Sequence, residues 1–201
     1  IDVSSFQGEI DWDAVADDNI DFAMVRVGFR GTGTGSLNTD KYYEQNIRGA
    51  MRAGLETGVY FFAQAVTVEE AIEEADYVIS LLDGLDINGP VAYDWEMHDS
   101  TYRVYGTSPE MATACAVAFC ERIKDAGYTP MVYGGTYVTY MKYDQGALAD
   151  YLSWYPEYKS EKSEKLCPTL VYHMDYWQFS SSRAVAGING RVDMNIQFIR
   201  R

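Results

Sequence analysis

Short apolar runs of strand length alternate with longer stretches of helical periodicity along the first two thirds of the chain. This alternation predicts parallel strands joined by right-handed helical crossovers. The last of these helices has the clearest ends, because Ser108 can cap its first turn, Pro109 suits that turn and Gly127 can end it. The predicted strands are 1–4, 21–29, 59–65, 91–96 and 130–135, and the predicted helices are 10–19, 40–58 (ending near Gly54 or Gly58), 68–84 and 108–127.

The helical pattern fades in the last third of the chain. The segments 149–155, 171–180 and 190–198 each predict a strand, and 160–169 predicts a surface loop. A doubly wound sheet and a barrel both fit the early alternation, but late strands without helices favour a barrel that lacks several late helices. In either architecture the functional site lies at the carboxyl ends of the strands.

Four acidic side chains interrupt the predicted strands. Asp94 and Glu96 stand two residues apart at the end of VAYDWE, so they point to the same face. Asp2 lies within IDVS and Asp193 within VDMN. Burying an unpaired charge is costly, so acidic residues within strands need an explanation. Closure of a parallel sheet could bring the ends of these strands, and with them all four acids, to one end of the barrel. At least one of four clustered carboxyls is expected to hold a proton near neutral pH.

A carboxylic acid beside carboxylates can protonate a leaving oxygen while its neighbours stabilise positive charge, as an oxocarbenium-like transition state at a sugar carbon requires. Glu96 has the longer side chain, so we assign it the proton-donor role, with Asp94 as electrostatic or orienting partner. Alternatively, such carboxylates cap helices or pair with a buried cation such as Arg26. His98 continues the same face, but His173, the other of only two histidines, is remote in sequence. We therefore expect no catalytic metal, although a hard cation held by oxygens stays open.

Aromatic residues supply a second signal, with 17 Tyr, 8 Phe and 4 Trp in the chain. Core filling is their default role, and it is our prediction for Tyr93. Tyrosine and tryptophan also suit the apolar face and hydroxyl rim of a sugar. We therefore predict a substrate groove that includes Tyr60, Phe62, Tyr133, Trp154 and Trp177.

Composition limits the classes of partner. The formal charge of −14, from 30 acidic and 16 basic residues, makes nucleic acid and anionic membranes poor partners. No apolar run reaches the length of a membrane span and no signal peptide is visible. The chain begins at Ile1 rather than Met, so we expect a processed or excised domain. Three cysteines without CxxC spacing predict neither a disulfide framework nor a zinc site.

Several segments resemble the glycoside hydrolase family 25 lysozymes, which are muramidases that cut peptidoglycan. The opening IDVSSFQGEIDWDAV resembles the N-terminal signature of that family, and VAYDWE matches its Asp-x-Glu strand. FAMVRVGFRG resembles its second strand, and NIRGAMRAGLETGVYFF resembles its helix and third strand. LSWY and YWQFSSSRAVAGINGRVDMN resemble its late strands, and all these segments follow in the same order. The likeness covers nearly the whole chain.

The resemblance implies an α/β fold: an irregular, TIM-like (β/α) barrel with about five β/α units followed by three strands with few helices. It implies one catalytic domain over 1–201 and cleavage of the β-1,4 bond between N-acetylmuramic acid and N-acetylglucosamine. Carried onto matching positions, Glu96 is the catalytic acid, Asp94 its partner, and Asp2 and Asp193 the other groove acids. It further implies no cofactor, bacterial cell-wall peptidoglycan as the partner, a monomer, and a secreted or cell-wall location.

Some questions stay open at this point. Phe61 replaces a histidine of many relatives, and the negative charge of the chain opposes binding to an anionic polymer. The reaction could retain configuration, invert it, or use the acetamido group of the substrate as nucleophile, and we favour the last route. The alternatives to a lysozyme are a chitinase-like hydrolase of N-acetylglucosamine polymers and an inactive wall-binding module. The absence of a DxxDxDxE strand and the presence of the Asp94–Glu96 pair, respectively, argue against them.

Overall fold

The computed structural model describes residues 1–159, 167–170 and 173–199, which form nine strands and five α-helices. The strands are β1 (Asp2–Val3), β2 (Phe22–Arg30), β3 (Leu37–Thr39), β4 (Glu56–Ala63), β5 (Val91–Trp95), β6 (Pro130–Tyr133), β7 (Leu152–Pro156), β8 (Tyr176–Arg183) and β9 (Val192–Gln197). The helices are α1 (Trp12–Asp17), α2 (Tyr43–Arg52), α3 (Val68–Leu81), α4 (Pro109–Asp125) and α5 (Thr136–Met141).

Eight of the strands close into a barrel. They pair in the order β1-β9-β8-β7-β6-β5-β4-β2, and β2 pairs again with β1, while β3 extends β2 on the outside. All neighbours in the ring are parallel except at β9, which runs antiparallel to both β8 and β1. Five β/α units precede β7, β8 and β9, which no described helix separates. The predicted irregular TIM-like barrel is therefore confirmed.

Strand alternation divides the core into two layers. Tyr93 and Trp95 of β5 point outward to the helices, and the Tyr93 ring lies 4.8 Å from that of Phe119 on α4. The prediction that Tyr93 fills the core is confirmed. The residues of the opposite parity fill the barrel interior with a smaller cluster, which includes Phe22, Met24, Ala92, Met131, Tyr133, Trp154 and Tyr176.

Most element boundaries follow local chemistry. Ser108 caps α4 by accepting a hydrogen bond from the Met111 backbone N–H, as predicted. The helix predicted over 40–58 is too long: α2 ends at Arg52, Gly54 takes a φ of 85°, and β4 already begins at Glu56. The positive φ at Gly54 ends the helix, and it confirms the first of the two predicted stop positions.

Short elements escaped the pattern analysis. The strand β3 was not predicted because three residues are too few to establish a period. The helix α5 was not predicted because its six residues, TYVTYM, are mostly β-branched or aromatic and favour a strand. The predicted strands 149–155 and 171–180 begin later than expected, at Leu152 and Tyr176. Residues 160–166, in the predicted surface loop, and residues 171–172 lie outside the described part of the chain. None of the described helices is long and apolar enough to cross a membrane.

Candidate active site

The four predicted acids meet at one end of the barrel. Asp94 and Glu96 lie at the carboxyl end of β5, and Asp2 lies in the short strand β1. Asp193 is near the start of β9 and stands directly opposite Asp2 across the β1–β9 pairing. Because β9 is antiparallel, its beginning lies beside the carboxyl ends of the parallel strands. The expected convergence occurs, but the expectation that parallel closure produces it is wrong for Asp193.

These four side chains line a cavity of about 260 Å³. Asp94 has Phe62 of β4 and Tyr133 of β6 as its neighbours in register, so its carboxyl projects between aromatic side chains. The other residues around the cavity are Tyr60, His98, Tyr133, Trp154, Tyr158 and Gln178. The cavity is an acidic cleft with aromatic and amide walls.

Asp94 and Glu96 form a hydrogen-bonded pair of carboxyls. Burial raises the pKa of Asp94 well above its usual range, and the charge of Glu96 adds to that rise. Burial also raises the pKa of Glu96, against the opposing effect of His98, whose Nε2 lies 3.2 Å from Glu96 Oε2. Their hydrogen bond raises the pKa of Asp94 and lowers that of Glu96. Because a hydrogen bond between two carboxyls requires a proton, the two groups titrate as a coupled pair.

Access to the cleft differs between the two members of the pair. Asp94 is 5% exposed, whereas 26% of the Glu96 side chain is exposed. The Asp94 Oδ1 atom is buried and accepts no hydrogen bond from the described residues. Asp94 is therefore the deeper carboxyl, and Glu96 is the carboxyl nearer the solvent.

Asp2 and Asp193 form a second carboxyl pair. Burial raises the pKa of Asp2, but amide donors oppose the rise: Gln178 Nε2 and Asn195 Nδ2 donate to Asp2 Oδ2 over 2.9 and 2.8 Å. Burial, followed by the charge of Asp2, raises the pKa of Asp193 to about 7. Near neutral pH the amides favour the charge on Asp2, and Asp193 is close to half protonated.

Four of the five aromatic residues predicted for the groove line the cleft. Tyr60 and Tyr133 contact Trp154 edge-to-face, with ring centroids 5.9 and 4.9 Å apart. Phe62 lines an adjoining lobe of about 220 Å³. The Trp154 indole donates to Asn195 Oδ1 over 2.8 Å, so the same amide connects the aromatic wall to Asp2.

The structure places Trp177 away from the cleft, contrary to expectation. Its side chain is 1% exposed, packs with Tyr155 and Met174 outside the barrel, and donates to the Glu157 carbonyl over 3.0 Å. Strand alternation is the reason, because Gln178, next in sequence, points into the barrel. The same period of two could have identified Gln178 and Asn195, which sequence reasoning missed.

The structure bears on two alternatives that the sequence left open for the acids, pairing with Arg26 and metal binding. Arg26 pairs with Asp40, with Nη2 2.8 Å from Oδ2, and not with any of the four acids. His98 lies beside Glu96, and no cluster of three His, Cys, Asp or Glu side chains among the described residues could hold a metal ion. The expectation that the site works without a cofactor stays a prediction.

A buried glutamine fixes the main chain at Glu96. Gln64, just past the end of β4, donates through Nε2 to the Glu96 carbonyl over 2.7 Å. Its own N–H donates to Glu74 Oε1 over 3.0 Å, and Arg30 Nε donates to that oxygen over 2.7 Å. Arg103 Nη1 donates to the Gln64 carbonyl over 2.9 Å. The buried Arg30–Glu74 ion pair thus connects α3 to the end of β5 through Gln64.

Comparison with known proteins gives one family. The family model described as "Glycosyl hydrolases family 25" matches residues 1–188. The chain is 26% identical over 196 residues to an autolytic lysozyme of Clostridium acetobutylicum, covering 97% of this chain and 54% of that protein. It is 26% identical over 200 residues to lysozyme M1 of Streptomyces globisporus, covering 97% and 66%. The chain thus spans about half the length of the first relative and about two thirds of the length of the second.

The fold of a solved autolysin is also similar. The modular autolysin LytC from Streptococcus pneumoniae superposes with a TM-score of 0.80 at 26% identity, covering 98% of this chain and 46% of that protein. The same autolysin has been solved in complex with a synthetic peptidoglycan ligand.

Proposed function

The chain belongs to glycosyl hydrolase family 25 and is thus a glycoside hydrolase, and we propose that it degrades bacterial cell-wall peptidoglycan as an N-acetylmuramidase. The bond cut is the β-1,4 bond between N-acetylmuramic acid and N-acetylglucosamine. The observation that carries the proposal is the convergence of Asp2, Asp94, Glu96 and Asp193 in one aromatic-walled cleft. Relatives named as lysozymes support the wall polymer as the substrate class.

Glu96 acts as general acid in this proposal. It is the more exposed carboxyl of the Asp94–Glu96 pair, and burial raises its pKa. Their hydrogen bond raises the pKa of Asp94 and lowers that of Glu96, so in this proposal Glu96 draws on the proton that the pair shares. Protonation of the glycosidic oxygen by Glu96 lets the leaving sugar depart as an alcohol. Asp2 and Asp193 add negative charge to the cleft where the sugar carbon becomes positive.

Asp94 orients the acetamido group of the substrate. Its buried Oδ1 accepts no hydrogen bond from the described residues and can accept one from the acetamido N–H. That contact turns the acetamido oxygen towards the anomeric carbon, where it attacks as the leaving group departs. Water then opens the cyclic intermediate with Glu96 as base, and configuration is retained.

The product anomer tests this route. Proton NMR of the first-formed product separates inversion from the two retaining routes. A substrate with a hydroxyl in place of the acetamido group then separates those two, because it reacts only if a carboxylate is the nucleophile. An α-anomer formed first would exclude both the internal nucleophile and a covalent carboxylate intermediate.

Replacement of Glu96 tests the assignment of the acid. We expect Glu96→Gln to lose nearly all turnover on purified walls, followed as a fall in turbidity, while its thermal unfolding stays close to that of the parent. Glu69→Gln is the matched control, because Glu69 is an exposed glutamate on α3. Substantial lysis by Glu96→Gln would show that another residue is the general acid. A parent enzyme that degrades chitin but does not lyse walls would favour the chitinase-like alternative.

The fold and the substrate together indicate the domain organisation and the location of the enzyme. We propose that residues 1–201 act as one catalytic domain, because barrel closure uses strands from β1 to β9. The sequence-based prediction of a monomer is retained. The substrate is outside the membrane, so the proposed location is extracellular or at the cell wall, and the sequence-based prediction of no cofactor is retained.

A further inference from the structure

The cleft has two lobes that meet at the acids. Both lobes contact Tyr60 and all four carboxyl-bearing residues. Beyond them, one lobe is lined by Tyr133, Trp154, Tyr158, Gln178 and His98, and the other by Ser4, Phe6, Gln7, Arg26 and Phe62. An enzyme that cuts inside a glycan must hold sugars on both sides of the scissile bond, so the second lobe requires its own recognition surface.

Phe6 is an unusual residue for a lobe of that kind. Its side chain is 84% exposed, more than that of any other large hydrophobic residue in the described part of the chain. Nevertheless, it stands on an ordered turn: Ser4 Oγ accepts from the Phe6 N–H over 3.2 Å, and Gln7 Oε1 accepts from the Ser4 N–H over 2.8 Å. A third bond runs from the Ser5 N–H to Asp40 Oδ2 over 3.0 Å. The backbone that carries Phe6 is thus fixed while its apolar ring faces solvent.

Arg26 supports the ring from within the protein. Its guanidinium carbon lies 5.0 Å from the Phe6 centroid and 5.4 Å from the Phe29 centroid. Asp40 neutralises it through contacts of 2.9 Å from Nε and 2.8 Å from Nη2, and Nη2 also donates to Ser5 Oγ over 3.2 Å. Asp40 neutralises the charge of the guanidinium, so the lobe offers a stacking surface rather than an uncompensated cation for an anionic group.

We propose that Phe6 is a sugar-stacking platform of the second lobe and that it binds the neutral N-acetylglucosamine ring next to the scissile bond. This inference rests on the proposed function, because the acids place the bond between the lobes. The uncovered face of Phe6 suits the C–H face of a pyranose, and the paired Arg26 gives no preference for the carboxylate of muramic acid. Binding covers an apolar surface that the free protein leaves in water.

Binding to a catalytically inactive protein provides the direct test. In a Glu96→Gln background, calorimetry with a neutral N-acetylglucosamine tetramer should show about two- to tenfold weaker binding after Phe6→Ala. Phe6→Trp should keep the affinity, and Phe6→Leu should resemble Phe6→Ala because it has no ring face. Phe198→Ala is the matched control, since Phe198 is 40% exposed and follows the end of β9, at the opposite end of the barrel.

Kinetics of the intact enzyme complete the test. On soluble wall glycan, Phe6→Ala should raise KM by a similar factor, with kcat changing less and the melting temperature unchanged. Equal KM values for Phe6→Ala and Phe198→Ala, or full rescue by Phe6→Leu, would overturn the platform while leaving the hydrolase intact. A parent enzyme without glycosidase activity on walls would instead overturn the proposed function.

Discussion

Replacement of Asp193 by asparagine should stabilise the fold at neutral pH and impair catalysis. Asp193 stands opposite Asp2, and burial and that charge raise its pKa from 3.8 to about 7. The folded state therefore binds the proton more tightly than the unfolded state. This contribution to stability is complete below pH 3.8 and is lost as the pH rises through about 7. An asparagine has no charge to ionise and can donate to Asp2.

The size of the effect follows from the shift. A rise of about 3 pKa units corresponds to about 4 kcal/mol at most. The Asp193 side chain is only partly buried, so solvent screening reduces this to about 2 kcal/mol. For a chain of 201 residues, that is a rise in melting temperature of roughly 4–8 °C at pH 8.

Thermal unfolding across pH 4–8 measures the difference. The difference between the parent and Asp193→Asn should grow as the pH rises from 4 to about 7 and level off above that, while lysis of walls by the variant falls. Asp83→Asn removes the same charge from an exposed turn and should show no such divergence. Equal melting temperatures of the parent and Asp193→Asn at pH 8 would refute the claim that Asp2 and Asp193 destabilise each other.

Two further changes test the surroundings of the acids. Gln64→Met removes the donor to the Glu96 carbonyl, so we expect kcat to fall by about ten- to a hundredfold with little change in KM; an unchanged kcat would show that the strand end holds its position without Gln64. The charge of −14 repels an anionic wall, so lysis at neutral pH should increase as salt rises or pH falls, and a flat salt response would contradict this electrostatic account.

The sequence was sufficient for the elements that rest on strong periodicity. The strands at β2, β4 and β5 and the helices α3 and α4 carry enough apolar repeats to define them, and α4 also has a clear cap. Acids within apolar strands were a useful signal because burying a charge is costly, so such a residue needs a partner or a function. That signal identified all four carboxyls of the cleft.

What the sequence could not provide was strand direction and the exact face of the late strands. Trp177 and Gln178 are adjacent, and a start of β8 at Tyr176 decides which of them enters the barrel. The predicted segment 171–180 left that parity undefined. Gln64 and Tyr158 act from outside regular elements, Gln64 through a bond to the Glu96 main chain and Tyr158 through its hydroxyl, 3.0 Å from Gln178 Oε1. No pattern along a single chain reports such contacts.

The direction of β9 connects the fold to the chemistry. Residues 184–191 join β8 to β9, and a link of that length is too short for the crossover that a parallel strand requires. The chain must therefore turn back, and β9 closes the barrel antiparallel to β8 and β1. Only this direction puts the beginning of β9, and with it Asp193, beside Asp2 at the carboxyl end of the barrel. The lack of a crossover helix in the described link between β8 and β9 is thus what brings two like charges together, and the raised pKa of Asp193 follows from the way the barrel closes.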